Sequence, residues 1–152
     1  MASSKIKIGA RLDFAGIVKA SIEYVKTKAT KKCKGSCLRS DKSVASNSGY
    51  SSVASNSGYS SVASNSGNKS VASNSGNKSV ASNSGCNGIA VSWGKNSKCK
   101  GAKGSYLVLS EWGEWNGKGY SLLNAQMIRI DGENYKEDTF YILKNGNVVE
   151  AK

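Results

Sequence analysis

Four cysteines, Cys33, Cys37, Cys86 and Cys99, and no histidine pose the first chemical question. Four thiols are the number that a structural zinc site takes, but C-x3-C followed by C-x12-C departs from the usual C-x2-C pairs. Cys86 also stands in a column that holds Tyr50, Tyr59, Asn68 and Asn77 in neighbouring copies of a repeat, so it reads as one more substitution there. Without histidine the chain lacks the commonest general base, the usual partner of a nucleophilic Ser or Cys, and the commonest nitrogen ligand for zinc. Its many serines include none in a G-x-S-x-G elbow. The expectation is a protein that is not an enzyme and holds neither metal nor cofactor. The residues left with something to do are lysines. Gly94–Gly104 reads GKNSKCKGAKG and brings Lys95, Lys98, Lys100 and Lys103 together without an acid. It lacks G-x-x-x-x-G-K-[ST] and a strand–loop–helix setting, so it fails as a nucleotide loop yet suits an anion-binding edge. Lys69 and Lys78, from the repeats, and Lys31, Lys32 and Lys34, upstream of them, complete the candidate anion-binding set.

What must position these lysines is a nine-residue repeat, SVASNSGYS or SVASNSGNK, recurring from Ser43 to Gly85. Residues nine apart on a helix fall about half a turn out of phase, so this period makes no helical stripe. A short strand S-V-A and a turn S-N-S-G fit better. In this reading Val44, Val53, Val62, Val71, Val80 and Ile89 point inward. The column Gly49, Gly58, Gly67, Gly76, Gly85 and Gly94 gives the corner its conformational freedom. One strand cannot bury its valine alone, whereas coils stacked about 4.8 Å apart satisfy one another's backbone and line up a thin core. Two copies per coil of a flattened roll give about three coils from six copies. A calcium-binding roll of the same period needs an Asp in each turn, and these turns have none. The Ser and Asn columns read as ladders that satisfy turn backbones.

SVASNSGYSSVASNSG resembles the small-residue coils in the β-roll heads of trimeric autotransporter adhesins, over residues 43–96 and with a shorter period. The chain also resembles uncharacterised small proteins of bacteria and their phages that carry tandem SVASNSG copies. In those, the repeats are followed by a segment like AKGSYLVLSEW and an ending like DTFYILKNGNVVE, so this likeness runs from Ser43 to Glu150. It implies a phage or bacterial origin and brings no activity.

The fold expected is mostly all-β: a parallel β-solenoid of nine-residue repeats over 43–96, a basic N-terminal α/β cap or arm over 1–42, and a β-rich C-terminal cap over 97–152. In the first of these caps, KIKIGARLDF alternates, with Ile6, Ile8, Ala10, Leu12 and Phe14 on one face. The next stretch, 15–28, supports either a strand or a helix, through Val18, Ile22 and Val25. Tyr106–Leu109 reads as a strand buried on both faces, YSLLNAQMIRIDG and TFYILKNGNVVEA as further strands with a KNG turn. Trp112 and Trp115 are expected to close the open end of the roll, with stacking on bases as the lesser alternative.

The formal charge is +12, unevenly spread: 1–42 carry +8, 43–110 carry +6 and 111–152 carry −2. No apolar run is long enough to span a membrane. The opening MASSKIKIGARL shows no apolar core with a cleavage pattern, so a cytoplasmic location is expected, the host cytoplasm if the origin is a phage. A basic body of this kind attracts an anionic partner, nucleic acid or a nucleoprotein complex. Nineteen Lys against three Arg favour phosphate contact over base reading. The reading is a non-enzymatic binding protein, possible as a phage-encoded inhibitor of a host defence nuclease. The alternatives are a homo-oligomeric adhesin-like or virion element, and an ice- or glycan-binding solenoid that uses the hydroxyl rows.

Overall fold

The structure, a computed structural model, describes residues 35–151. The expectations for 1–34, including the alternation of Ile6–Phe14, the segment 15–28, Cys33 and Lys31, Lys32 and Lys34, lie outside the described residues. Nine strands follow the period: β1 (Gly35–Leu38), β2 (Val44–Asn47), β3 (Val53–Asn56), β4 (Val62–Asn65), β5 (Val71–Asn74), β6 (Val80–Asn83), β7 (Ile89–Ser92), β8 (Lys98–Gly101) and β9 (Tyr106–Trp115). Three more complete the chain: β10 (Tyr120–Arg129), β11 (Tyr141–Lys144) and β12 (Asn147–Glu150). They form two six-stranded sheets, ordered β1-β3-β5-β7-β9-β10 and β12-β11-β8-β6-β4-β2. Parallel partners lie eighteen residues apart, as in Val44↔Val62 and Ala54↔Ala72, so each coil takes two repeats; the last pair, β7 and β9, is one residue shorter, as in Ile89↔Tyr106. The result is a β-solenoid of about four coils. It exceeds the three expected because Gly35–Leu38, Lys98–Gly101 and Tyr106–Leu109 stack in the same register although they have lost the repeat's sequence.

The inside of the coil differs from the expectation. Ala45, Ala54, Ala63, Ala72, Ala81 and Ala90 are fully buried, while Val44 and Val53 are 59% and 44% exposed. Strand alternation runs through Ser52, Ala54, Asn56 and Gly58, so the buried face is Ser-Ala-Asn-Gly and valine looks outward. The physical reason is the polarity of the two neighbouring columns. Asn65 Nδ2 donates to the Ser52 carbonyl at 3.0 Å, while its Oδ1 accepts from Gly67 N at 3.1 Å and Ser52 Oγ at 3.2 Å. The same set recurs in other coils: Asn74 Nδ2 reaches the Ser61 carbonyl and Asn74 Oδ1 accepts from Gly76 N. Turn backbones closed inside a narrow coil need such partners, and a buried Asn both donates and accepts there, as the buried Ser hydroxyls do. Turning Asn inward turns Ala inward with it and puts Val on the other face.

The glycine column is also corrected. Its members do not have positive φ; the left-handed residues are Lys42, Ser51, Ser60, Lys69, Lys78, Asn87 and Asn96, with φ of 52° to 55°. Glycine is needed because coils approach there backbone to backbone: a Cβ on Gly67 would overlap the carbonyl oxygen of Gly49.

Past β8 the interior changes size. Cys99, Leu107, Leu109, Ile130, Tyr141 and Leu143 join Ala81 and Ala90 in one apolar cluster, with Ile128, Tyr135 and Val148 packed against it. β9 follows β7 in parallel through Leu109, then continues into a long antiparallel hairpin with β10. β11 and β12 form a second hairpin around Asn145 and Gly146, both with positive φ, which agrees with the expected KNG turn. Tyr106 is exposed and Val108 half-buried, so β9 is buried on one face, not two. Trp112 and Trp115 do not join the buried cluster, and Ile130, Tyr141 and Leu143 occupy the place expected for them.

Candidate nucleic-acid interface

Corners of successive coils stack along two opposite edges, and this decides which lysines can act together. On one edge Ser51 N donates to the Asn68 carbonyl and Lys69 N to the Cys86 carbonyl; Lys103 falls at the next corner. On the other, Lys42 N donates to Tyr59 O, Ser60 N to Asn77 O, and Lys78 N to Lys95 O. Side chains of Asp41 and Asn77 lace this second edge by accepting from Tyr59 N at 2.8 Å and Lys95 N at 2.8 Å.

The expected anion set is therefore dispersed. Lys69 and Lys78 lie on opposite edges, not in one field. Each sits over a tyrosine of the coil before it, Lys69 over Tyr50 and Lys78 over Tyr59, both 5.7 Å from the ring centroid. The tyrosine hydroxyls beside them hold both ammonium groups above the usual lysine range, so both stay charged at any physiological pH. Lys95 turns back onto the second edge, where it meets Glu114 Oε2 at 2.8 Å and lies 4.8 Å from the Tyr120 ring. Lys98 and Lys100 occupy the outward positions of β8, over Phe140 at 4.7 and 5.3 Å, and Lys100 pairs with Asp138 at 3.2 Å. Lys103 is exposed on the first edge. The cluster Gly94–Gly104, taken from sequence to lack acids, thus receives Glu114 and Asp138 from distant segments.

The structure assembles something else on the second edge. Trp93, Trp112, Trp115 and Tyr120 line a cleft of about 360 Å³ together with Ser75, Asn77, Gly94 and Gly119. A second hollow of about 270 Å³ continues it past Asn77 and Tyr120 to Tyr59, Lys78, Lys95 and Asn96. Trp93 and Trp112 meet edge to face at 6.2 Å, and Trp115 and Tyr120 at 5.3 Å. Trp112 Nε1 donates to the Trp93 carbonyl at 2.6 Å and to Ser110 Oγ at 2.9 Å, which fixes that ring. Trp93, Trp115, Tyr59 and Tyr120 remain exposed. The groove thus offers the exposed rings of Trp93 and Trp115 beside Tyr59 and Tyr120, each of which carries a lysine, Lys78 or Lys95, over one face, next to one carboxylate, Glu114.

Sequence reasoning placed Trp112 and Trp115 elsewhere and did not single out Trp93, Tyr59 or Tyr120. The signal was present in the spacing. Tyr50–Lys69, Tyr59–Lys78, Trp93–Trp112 and Lys95–Glu114 are each nineteen residues apart, close to the length of one coil.

Among the described residues no group of three or more His, Cys, Asp or Glu could hold a metal ion. Cys37 and Cys86 are exposed and Cys99 is buried. No helix among the described residues is long and apolar enough to cross a membrane, which agrees with the expectation on that point. Neither a protein-family model, nor a curated protein, nor a solved structure matches the chain.

Proposed function

We propose that this protein is a non-enzymatic binding module that takes a single-stranded nucleic acid along the second solenoid edge. Trp93, Trp115, Tyr59 and Tyr120 offer stacking faces and Lys78 meets the phosphates, while Lys95, paired with Glu114, holds Tyr120 in place. The observation that carries the reading is the set of exposed aromatic rings and lysines in one continuous groove. Single strands are held by this combination because every base has a π-face and every linkage a charge. Duplex DNA hides its base faces and offers the groove only its backbone. The segment 1–34, with nine Lys/Arg against two acids, adds further positive charge in the same chain. Under the phage resemblance, the partner becomes a host defence nuclease bound through its RNA or DNA, in the host cytoplasm, and the protein its stoichiometric inhibitor.

Fluorescence anisotropy of labelled single-stranded RNA and duplex DNA at about 50 and 200 mM salt tests this, since counterion release acts over that range. Single strands should bind more tightly than duplex, and the affinity should fall at least tenfold across the range. Trp115→Ala should weaken single-strand binding about tenfold, the lower part of what one stacked base contributes. Absence of binding at low salt, or binding that ignores Trp115→Ala, rejects the interface. A second reading rests on the broad outer faces, where Val53, Ser55, Val71 and Ser73 repeat in register from coil to coil. Such rows suit an ice, glycan or virion surface, and thermal hysteresis without nucleic-acid binding would favour it.

A further inference from the structure

Among the described residues, strand β10 ends its sheet, with one edge paired to β9 and no strand on the other. It is ten residues long, and every residue from Tyr120 to Met127 is exposed. Free edges of this length are usually guarded by lysine, proline or inward charge. Between Tyr120 and Ile128 there is no charged residue and no proline; the run reads YSLLNAQMI. Its pairing with β9 is irregular around Leu122 and regular from Asn124 to Arg129. Leu123 and Met127 are 58% and 66% exposed and share one face with Ala125 between them.

We infer that β10 pairs antiparallel with β10 of a second copy, about a two-fold axis through Ala125, to join two solenoids through a continuous sheet. The register follows from symmetry. A two-fold axis perpendicular to a sheet sets residues of the same face opposite each other, so the axis must pass through a residue, not between two. Centred on Ala125, it brings Leu123 against Met127 of the second copy and Leu122 against Ile128, each twice. Asn124 then faces Gln126, two amides that can donate and accept, and Arg129 faces Ser121, with no like charges opposed. Moving the axis to Gln126 would put Leu123 against Arg129. Moving it to Asn124 would set Met127 against Ser121 and Leu122 against Gln126. Only the Ala125 register matches apolar with apolar and polar with polar along the strand.

Sedimentation velocity of the full chain should give a species of twice the monomer mass, and Ala125→Lys should return it to monomer by placing two ammonium groups across the axis. The site is exposed, and circular dichroism of the variant checks that the fold is kept. A second variant does not depend on that: Ala125→Cys, with Cys33, Cys37 and Cys86 changed to Ser, should cross-link to a covalent dimer under mild oxidation. Ser121→Cys in the same background should not, because its opposite is Arg129. A monomer at all concentrations, a dimer that Ala125→Lys leaves intact, or cross-linking as strong at position 121 as at 125 would each overturn the inference.

Discussion

Two substitutions three residues apart, Val62→Ala and Asn65→Ala, test which side of the repeat is the inside. Both sit in β4, flanked by β2 and β6, so each has a complete coil above and below it. Asn65→Ala removes four hydrogen bonds from a buried site: Nδ2 to the Ser52 carbonyl, Gly67 N to Oδ1, Ser52 Oγ to Oδ1, and a longer one of 3.4 Å from Nδ2 to the Val71 carbonyl. The Ser52 carbonyl keeps a bond from Val71 N at 2.9 Å, and Ser52 Oγ keeps the Gly49 carbonyl, so Gly67 N–H is the group left without its partner. At about 1 kcal/mol for each of the three shorter bonds, the expected cost is about 3 kcal/mol, with the long fourth bond and the orphaned N–H pushing it upward. Val62→Ala takes two methyl groups from a half-exposed position, so it costs about 1 kcal/mol. If valine were the core residue the order would invert, with roughly 2–3 kcal/mol for the valine. Urea unfolding followed by circular dichroism reads both from the shift in midpoint at constant slope. A Val62→Ala variant that loses as much stability as Asn65→Ala, or more, refutes the polar-core account.

Four further outcomes follow from the same structure. Ser92 replaces Asn in the ladder column, and its Oγ is buried without a hydrogen-bond partner, so Ser92→Ala should be neutral or raise the unfolding midpoint. Ser60 holds a left-handed φ of 52°, so Ser60→Gly should stabilise by about 0.5–1 kcal/mol in the same urea titration. A thiol reagent should modify Cys37 and Cys86 in the folded protein and Cys99 only on unfolding, because burial pushes the Cys99 thiol up and hides it; equal rates at Cys86 and Cys99 would contradict this. Glu111 accepts from Asn124 Nδ2, Gly146 N and Asn145 N, which hold its carboxyl below the usual range. A depressed carboxyl contributes stability that is present above its unfolded pKa of about 4.3 and lost as pH falls through the lower folded value. Glu111→Gln should therefore flatten the decline in stability below about pH 4, and an unchanged acid profile would show that this anchor is not coupled to folding.

The period and composition made the architecture legible, because stacking in register is what a strict nine-residue repeat permits and a helix does not. Strand count fell short where Gly35–Leu38 and Lys98–Gly101 stack without the repeat's letters: backbone ladders need extended chain at the right spacing, not a particular side chain. The facing of Val and Ala was misread because hydrophobicity was taken as the sorting rule. In a coil this narrow the turn backbones need partners more than the interior needs volume, and Asn65 and its counterparts set the parity. The described lysines are spread out for a different reason. Adjacency in sequence was taken as adjacency in space, whereas alternate corners of a two-repeat coil face opposite ways, which sends Lys69 and Lys78 apart. Acids that pair with Lys95 and Lys100 arrive from the β9–β10 hairpin and the β10–β11 connection, nineteen and thirty-eight residues downstream, beyond what local charge counting sees.

The same parity confines where this protein can act. With Ser, Ala, Asn and Gly turned inward and Gly67 stacked backbone to backbone on Gly49, the repeats leave no room for a ligand between the sheets. Their outer positions carry Val and Ser, which repeat every coil and so supply a periodic surface without a unique point. A unique site can arise only where the repeat is broken, and it is broken at Trp93, Lys95 and the β9–β10 hairpin, the stretch that builds both the aromatic groove and the open strand. The exact copies act as a ruler: they set coil pitch and hold Tyr59 and Lys78 in register with Tyr120 and Lys95 on one edge. Deleting one pair of repeats, Ser52–Lys69, keeps every inward ladder in phase, whereas deleting a single repeat would exchange the two edges for all that precedes it. The paired deletion removes Tyr59 but keeps Lys78, Lys95, Trp93, Trp115 and Tyr120 on one edge, so it should fold and bind single strands about as weakly as Tyr59→Ala; complete loss of binding in a folded paired deletion would place function elsewhere.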